Sequence, residues 1–335
     1  MFSRRFMLAA TLAAFVAPGL ARPAFADDGK MPVVATFSIL GDFVKQVGGD
    51  RVDVTTIVGP DADSHVYQPT PADAKKLTAA KIIFVNGLGF EGWADRLAKA
   101  SGTKAEIVVA TKGITPRKAD DDEHEHDHDA KGHDHDHDHD KKGHKHDDHD
   151  DHKHAGHDHG DQDPHAWQSV GNAKIYVSNI RDALIAADPA GKDSYTANAA
   201  AYTAKLDALD AEVKQAISKI PQERRRIITS HDAFGYFADA YGVAFISPDG
   251  VSTESEASAK DVARIIRQIK AEKIPAIFIE NVSDPRLMER IAKETGAKVG
   301  GALYSDALSD DKGPASTYIE MTRFNANALS NALSQ

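Results

Sequence analysis

One stretch of this chain cannot contribute to any core. Between Lys118 and Asp163 apolar residues are almost missing, and the repeat His133-Asp134-His135-Asp136-His137-Asp138-His139-Asp140 alternates imidazole with carboxylate. Such a segment buries too little apolar surface to offset its conformational entropy, so it is expected to be disordered. It therefore interrupts the foldable sequence. It also carries most of the charge: residues 118–163 hold 18 acidic and 6 basic residues, a net −12, against −11 for all 335 residues. Without that segment and the three arginines of the first 26 residues, the body stands at −2. A nearly neutral body has no basic face for nucleic acid, which argues against that partner.

The amino terminus reads as an address. Arg4 and Arg5 precede an apolar run from Phe6 to Val16, and Ala24-Phe25-Ala26 fits small-x-small cleavage. Residues 1–26 are expected to be a signal peptide, with Sec and twin-arginine export both open. The run is too short to span a bilayer as a helix. With no cysteine, neither a disulfide framework nor a thiol-linked lipid anchor is expected. The mature chain is expected to be a soluble periplasmic monomer without a lipid anchor.

The remaining sequence reads as two similar halves. Val33–Phe37, Val52–Val58, Lys81–Asn86 and Glu106–Val109 have strand patterns in the first half. Helix patterns lie between them, through Phe43 and Val47, from Pro71 through Leu77, and over Trp93–Ala100. In the second half, strands are expected at Arg226–Ser230, Val243–Ser247, Ala276–Glu280 and Lys298–Leu303, with Val262, Ile265, Ile266 and Ile269 on one helix face. Strands alternating with helices imply a parallel sheet covered on both faces, once per half. A helical stretch from about Lys192 to Lys219, ended by Pro221, joins the halves. The expected class is α/β: two Rossmann-like lobes with parallel sheets joined by one long helix. The expected boundaries are an N-terminal lobe over 27–190, the connecting helix over 191–220 and a C-terminal lobe over 221–335. One rigid strut is expected to allow little hinge motion.

Fourteen of the 17 histidines lie between His124 and His159, leaving His65, His165 and His231 in the body. Open parallel sheets bind ligands at the carboxyl ends of their strands. His65 lies after the second expected strand, His165 after the fourth and across the insertion, His231 after the fifth and Asp306 after the last. Two from each lobe can converge in an interlobe cleft, and three imidazoles with one carboxylate make a tetrahedral zinc set. Placement alone leaves each histidine open to being a solvated loop residue, and Asp306 to being a helix N-cap.

The motifs go further. Asp63-Ser64-His65-Val66-Tyr67-Gln68-Pro69-Thr70-Pro71-Ala72-Asp73, Asp163-Pro164-His165-Ala166-Trp167, Thr229-Ser230-His231-Asp232-Ala233-Phe234-Gly235-Tyr236-Phe237 and Tyr304-Ser305-Asp306 occur in the order found in the metal-binding proteins of zinc and manganese ABC importers. The chain resembles that family over essentially its whole length outside the insertion. The resemblance implies a two-lobed fold with metal held between the lobes by His65, His165, His231 and Asp306. It also implies an importer permease with its cytoplasmic ATPase as partner, and makes a periplasmic metallochaperone a candidate zinc donor. Manganese members usually carry glutamate where this chain has His231, and a set rich in borderline nitrogen favours Zn²⁺. Some zinc members have a carboxylate just before the first ligand; Ser64 stands there instead, which leaves that role to Asp306. Glu280, at the end of a strand, is expected to hold a ligand histidine's other nitrogen.

The insertion offers many interchangeable nitrogen and oxygen donors: His124, His126, His128, His133, His135, His137, His139, His144, His146, His149, His152, His154, His157 and His159. These suit weak, exchanging zinc that could be passed to the cleft. Three classes compete: an importer's zinc receptor, a periplasmic zinc buffer, and a zinc enzyme. A fourth protein ligand closes the metal's coordination and no catalytic base accompanies it, which argues against the enzyme.

Overall fold

The computed structural model describes residues 29–119 and 162–334. The expected signal peptide and the fourteen insertion histidines lie outside those residues. Four strands, β1 (Met31–Phe37), β2 (Val52–Val58), β3 (Ile82–Val85) and β4 (Glu106–Val109), form a parallel sheet in the order β2-β1-β3-β4. The second sheet repeats this with β5 (Arg226–Ile228), β6 (Ala244–Ile246), β7 (Ala276–Glu280) and β8 (Lys298–Leu303), in the order β6-β5-β7-β8. Both sheets therefore present the carboxyl ends of all their strands along one edge, where α/β sheets take ligands.

The helices begin where their sequences supply caps. In α2 (Pro71–Ala79) Thr70 and Asp73 form a reciprocal capping box with proline at the first turn. Ser258 caps α7 (Ala259–Glu272), Asp284 caps α8 (Pro285–Thr295) and Thr317 caps α9 (Tyr318–Leu333). The remaining helices are α1 (Ser38–Gly48), α3 (Ala94–Ser101), α4 (Val170–Ala187), α5 (Lys192–Ser218) and α6 (Gly235–Tyr241). Strand β5 stops two residues short of the expected Ser230. The Ser230 backbone N–H leaves the ladder and donates to the Glu280 carboxylate at 2.8 Å.

The 27-residue helix α5 spans about 40 Å. Its buried stripe of Tyr195, Ala199, Tyr202, Leu206, Leu209, Val213 and Ile217 packs on α1, α4 and α9. The lobes are joined by more than this strut. Successive strand residues face opposite ways, so Ile227 and Phe278 enter a core continuous with Phe37 and Phe43 of the first half and Leu206 of α5. Ile228 and Ile277 instead join a separate core with Ile265, Ile269, Met288 and Ile291 beneath α7 and α8. The C-terminal helix α9 returns to α1 and α5. There the buried carboxylate of Asp42 accepts the Tyr318 backbone N–H at 2.9 Å. Among the described residues no helix is long and apolar enough to cross a membrane.

Candidate metal centre

His65, His165, His231 and Asp306 come together where the two strand-end edges face each other. One donor atom from each lies within 4.8 Å of all the others. His65 Nε2 is 3.3 Å from His165 Nε2 and 3.3 Å from Asp306 Oδ2. Asp306 Oδ2 is 3.2 Å from His231 Nε2, and Oδ1 is 3.5 Å from His165 Nε2. His65 is 6% exposed and the other three are fully buried. Phe90 lies edge-on to the His65 ring with centroids 4.8 Å apart, and Trp167 to the His165 ring at 5.3 Å, so the site's flank is apolar. Asp306 sits in the loop after β8 and caps no helix; α9 is capped by Thr317.

Each member is held by its own local device. Asp63 Oδ1 accepts the His65 backbone N–H at 2.8 Å, and Trp93 Nε1 donates to the Ser64 carbonyl at 2.9 Å. Asp163 repeats the turn one motif later: its Oδ1 accepts the His165 backbone N–H at 2.9 Å and lies 2.8 Å from the ring Nδ1. Glu280 reaches across from β7. Its Oε1 accepts the backbone N–H groups of Ser230 and His231 at 2.8 and 2.9 Å, and its Oε2 lies 2.6 Å from His231 Nδ1. Ionised carboxylates only accept, so a proton on Nδ1 of each ring suits Asp163 and Glu280, and loss of the proton from Nε2 leaves that nitrogen to bind a cation. Trp167 Nε1 and Gln168 Nε2 both donate to the Ser305 carbonyl, at 2.9 and 2.8 Å, which fixes the residue before Asp306.

The electrostatics are those of a cation site. Burial alone would raise the Asp306 carboxyl, but the charges of His165 and His231 outweigh it and hold the group well below the usual carboxylate range. Burial opposes the charged form of His165, yet Asp306 and Asp163 push it up to about 9. Burial likewise opposes charged His231, but Glu280 and Asp306 raise it well above the usual value. For His65 burial prevails and the value is lowered. Neither oxygen of Asp306 makes an aligned hydrogen bond. A buried carboxylate in that state needs a cation, here either protons on the imidazoles or a metal ion.

The insertion leaves and returns at a single point beside this cluster. Lys118 and Gln162 form an antiparallel bridge, the Asp163 N–H donates to the Arg117 carbonyl at 2.8 Å, and Tyr236 donates to the Asp163 carbonyl at 3.2 Å. Asp163 and Asp63 were given no role from the sequence. Their signal is visible in hindsight, an aspartate two residues before each first-lobe histidine.

The family "ZnuA: Zinc-uptake complex component A periplasmic" matches residues 33–332. The chain belongs to this family. Its members are substrate-binding receptors of ABC importers, not enzymes, and the chain is a metal-binding receptor of that kind. Among similar proteins, the iron-binding protein YfeA of Yersinia pestis is 33% identical over 306 residues, covering 91% of this chain and 87% of that one. The manganese ABC transporter substrate-binding lipoprotein PsaA of Streptococcus pneumoniae is 30% identical, covering 91% and 90%. Among solved structures, the periplasmic zinc binding protein TroA from Treponema pallidum superposes with a TM-score of 0.76 at 28% identity, covering 92% of this chain and 100% of that one. The Mn-bound periplasmic metal binding protein from Candidatus Liberibacter asiaticus gives 0.74 at 31% identity, covering 91% and 100%. Relatives thus carry iron, manganese and zinc in their names. PsaA is a lipoprotein by name, whereas this chain has no cysteine.

Proposed function

We propose that this protein captures Zn²⁺ outside the cytoplasm and delivers it to an ABC importer's permease, with His65, His165, His231 and Asp306 as the four ligands. The observation that carries the reading is the donor geometry. A tetrahedron around zinc with metal–donor distances of about 2.0–2.1 Å has edges of about 3.3 Å. With Asp306 Oδ2 as the oxygen donor, three of the six edges are 3.2–3.3 Å, and His165 Nε2 is 3.5 Å from the other oxygen. Three neutral nitrogens and one oxygen in a dry, four-donor cage suit zinc; manganese prefers more oxygen and higher coordination. Asp163 and Glu280 orient His165 and His231. The signal peptide, unanchored periplasmic location, single-copy state and lobe boundaries read from the sequence belong to the same proposal, as does weak zinc capture by the fourteen insertion histidines.

Manganese is the second reading, favoured by the relatives' names rather than by the donor set. The test is zinc stoichiometry and zinc-against-manganese competition on protein in which a short glycine-serine linker replaces residues 120–161, so that Asp163 stays in place, beside its His231→Ala form. One tight zinc, preferred over manganese and abolished by the substitution, is the expected result. Tight binding that disappears with the insertion would make the protein a zinc buffer. A manganese preference in the deleted protein would reject the zinc assignment.

A further inference from the structure

The cluster is closed off from solvent, so a metal ion needs a way in. The approach to it runs along His65, the member with residual exposure. There a crevice of ≈ 10 Å³ is lined by His65, Leu88, Gly89, Gln162, Pro164, Val251 and Ser252. That volume is at the lower limit for holding even one water molecule, so no hydrated ion passes until the walls separate. Leu88 and Gly89 belong to the first half, with backbones in the left-handed region at φ 55° and 81°. Val251 and Ser252 belong to the loop between β6 and α7, which has no helix or strand over residues 247–258.

A side-chain hydrogen bond ties that loop to the opposite wall. Thr253 Oγ1 donates to Asp63 Oδ2 at 2.6 Å, next in sequence to the lining residue Ser252. The other oxygen of the same carboxylate accepts the His65 backbone N–H. Deeper in the cleft, the Asp61 N–H donates to the Leu308 carbonyl at 2.8 Å and Asn281 Nδ2 donates to Asp61 Oδ1 at 3.1 Å. Those bonds hold the His65 loop to the second lobe wherever the crevice stands. Of these three bonds, the Thr253 bond is the one whose residue adjoins the crevice lining, at Ser252.

We propose that Thr253 is a latch on the metal's route, holding the β6–α7 loop against Asp63 and setting the rate at which metal leaves and enters. The proposal rests on the four-ligand reading above. The hydroxyl bonds a carboxylate, so its loss favours the unlatched loop and accelerates both directions, while the ligands themselves are untouched.

The experiment measures zinc release into excess chelator by stopped flow, from protein in which a short glycine-serine linker replaces residues 120–161, for the otherwise wild-type sequence, Thr253→Val and Thr253→Ser. Valine keeps the shape and removes the hydroxyl; serine keeps the hydroxyl. Release from Thr253→Val is expected to be roughly tenfold faster, the effect one hydrogen bond to a charged group supports, with Thr253→Ser close to wild type. Far-ultraviolet circular dichroism of each variant confirms that the comparison is between folded proteins. Release from Thr253→Val within twofold of wild type, or equally fast from the serine form, overturns the latch and leaves the site reading intact. A wild type that holds no tight zinc overturns the site reading, and the latch with it.

Discussion

Glu280→Gln separates the role of orienting an imidazole from that of binding the ion. The wild-type carboxylate makes three contacts on one neighbouring segment, to the N–H groups of Ser230 and His231 and to His231 Nδ1 at 2.6 Å. Glutamine has one oxygen for these donors, and its amide N–H₂ must face at least one of them. If the amide faces Nδ1–H, the imidazole is driven to the other tautomer, with its proton on the nitrogen that points at Asp306. That nitrogen then cannot bind metal. Loss of a carboxylate behind a ligand histidine typically costs 10–100-fold in metal affinity, which is about 1.4–2.8 kcal/mol. The cost falls on the metal complex. Competition with a fluorescent chelator at pH 7.5, on protein in which a short glycine-serine linker replaces residues 120–161, reads it directly. Calorimetry in buffers of different ionisation enthalpy adds a second readout. Without the Glu280 charge, metal-free His231 holds its proton less tightly, so fewer protons are released per zinc bound. An affinity within threefold of wild type, or unchanged proton release, would refute the assignment of Glu280 as the group that sets the His231 tautomer.

Asp306→Ala should weaken zinc more than Glu280→Ala, because it removes a donor and the charge at the centre of the cluster; the reverse order in the same titration rejects Asp306 as a ligand. With His165 raised to about 9 in the metal-free protein, above the ordinary ~6.5, its stabilising contribution is full below pH ~6.5 and fades as pH climbs through about 9. Over that window the melting temperature in chelator should therefore fall while the zinc-induced increase grows, and a chelated protein that becomes more stable with pH contradicts this. Asp42 is buried and its carboxyl raised, burial outweighing its hydrogen bonds, so its charge costs stability at neutral pH. Asp42→Asn, which keeps an acceptor for the Tyr318 N–H, should hold or raise the melting temperature at pH 7, with the difference shrinking as the pH falls and the carboxyl takes up its proton; a large loss at pH 7 would show that the charge is needed. A Cβ on Gly235 would stand 2.6 Å from Arg117 Cζ and from Asp163 Oδ2. Gly235→Ala should thus displace the pair that steadies His165, at a cost of about 1–3 kcal/mol of stability and with weaker zinc binding; unchanged values in both thermal melts and titration would refute the contact's importance.

The strands were legible because each is a short apolar run whose signal is local. All eight expected strands are present, four with the expected bounds and four with one or both ends displaced by one or two residues. The helix α5 was legible for the same reason, its apolar stripe recurring at helical spacing. Helix α4 escaped notice: Ile175, Ala183 and Ile185 add partly buried apolar residues outside its stripe of Tyr176, Val177, Ile180 and Leu184, so the periodicity blurs. Helix α6, seven residues beginning with glycine, carries almost no helical signal of its own.

From the sequence alone came the repeated α/β halves, the placement of three histidines and one aspartate after strands, and the segregation of the other histidines into a segment that cannot bury a core. Those properties follow from residue type and spacing along the chain, which act over one element at a time. Only the tertiary structure decided which carboxylate serves which imidazole. Asp163 lies two residues from His165, but Glu280 stands 49 residues from His231. It also decided that the lobes share one continuous core, and that Thr253 meets Asp63 from 190 residues away. Such pairings depend on how two sheets and the helices between them pack, because a hydrogen bond needs its partners placed to within a few tenths of an ångström, which no local pattern encodes.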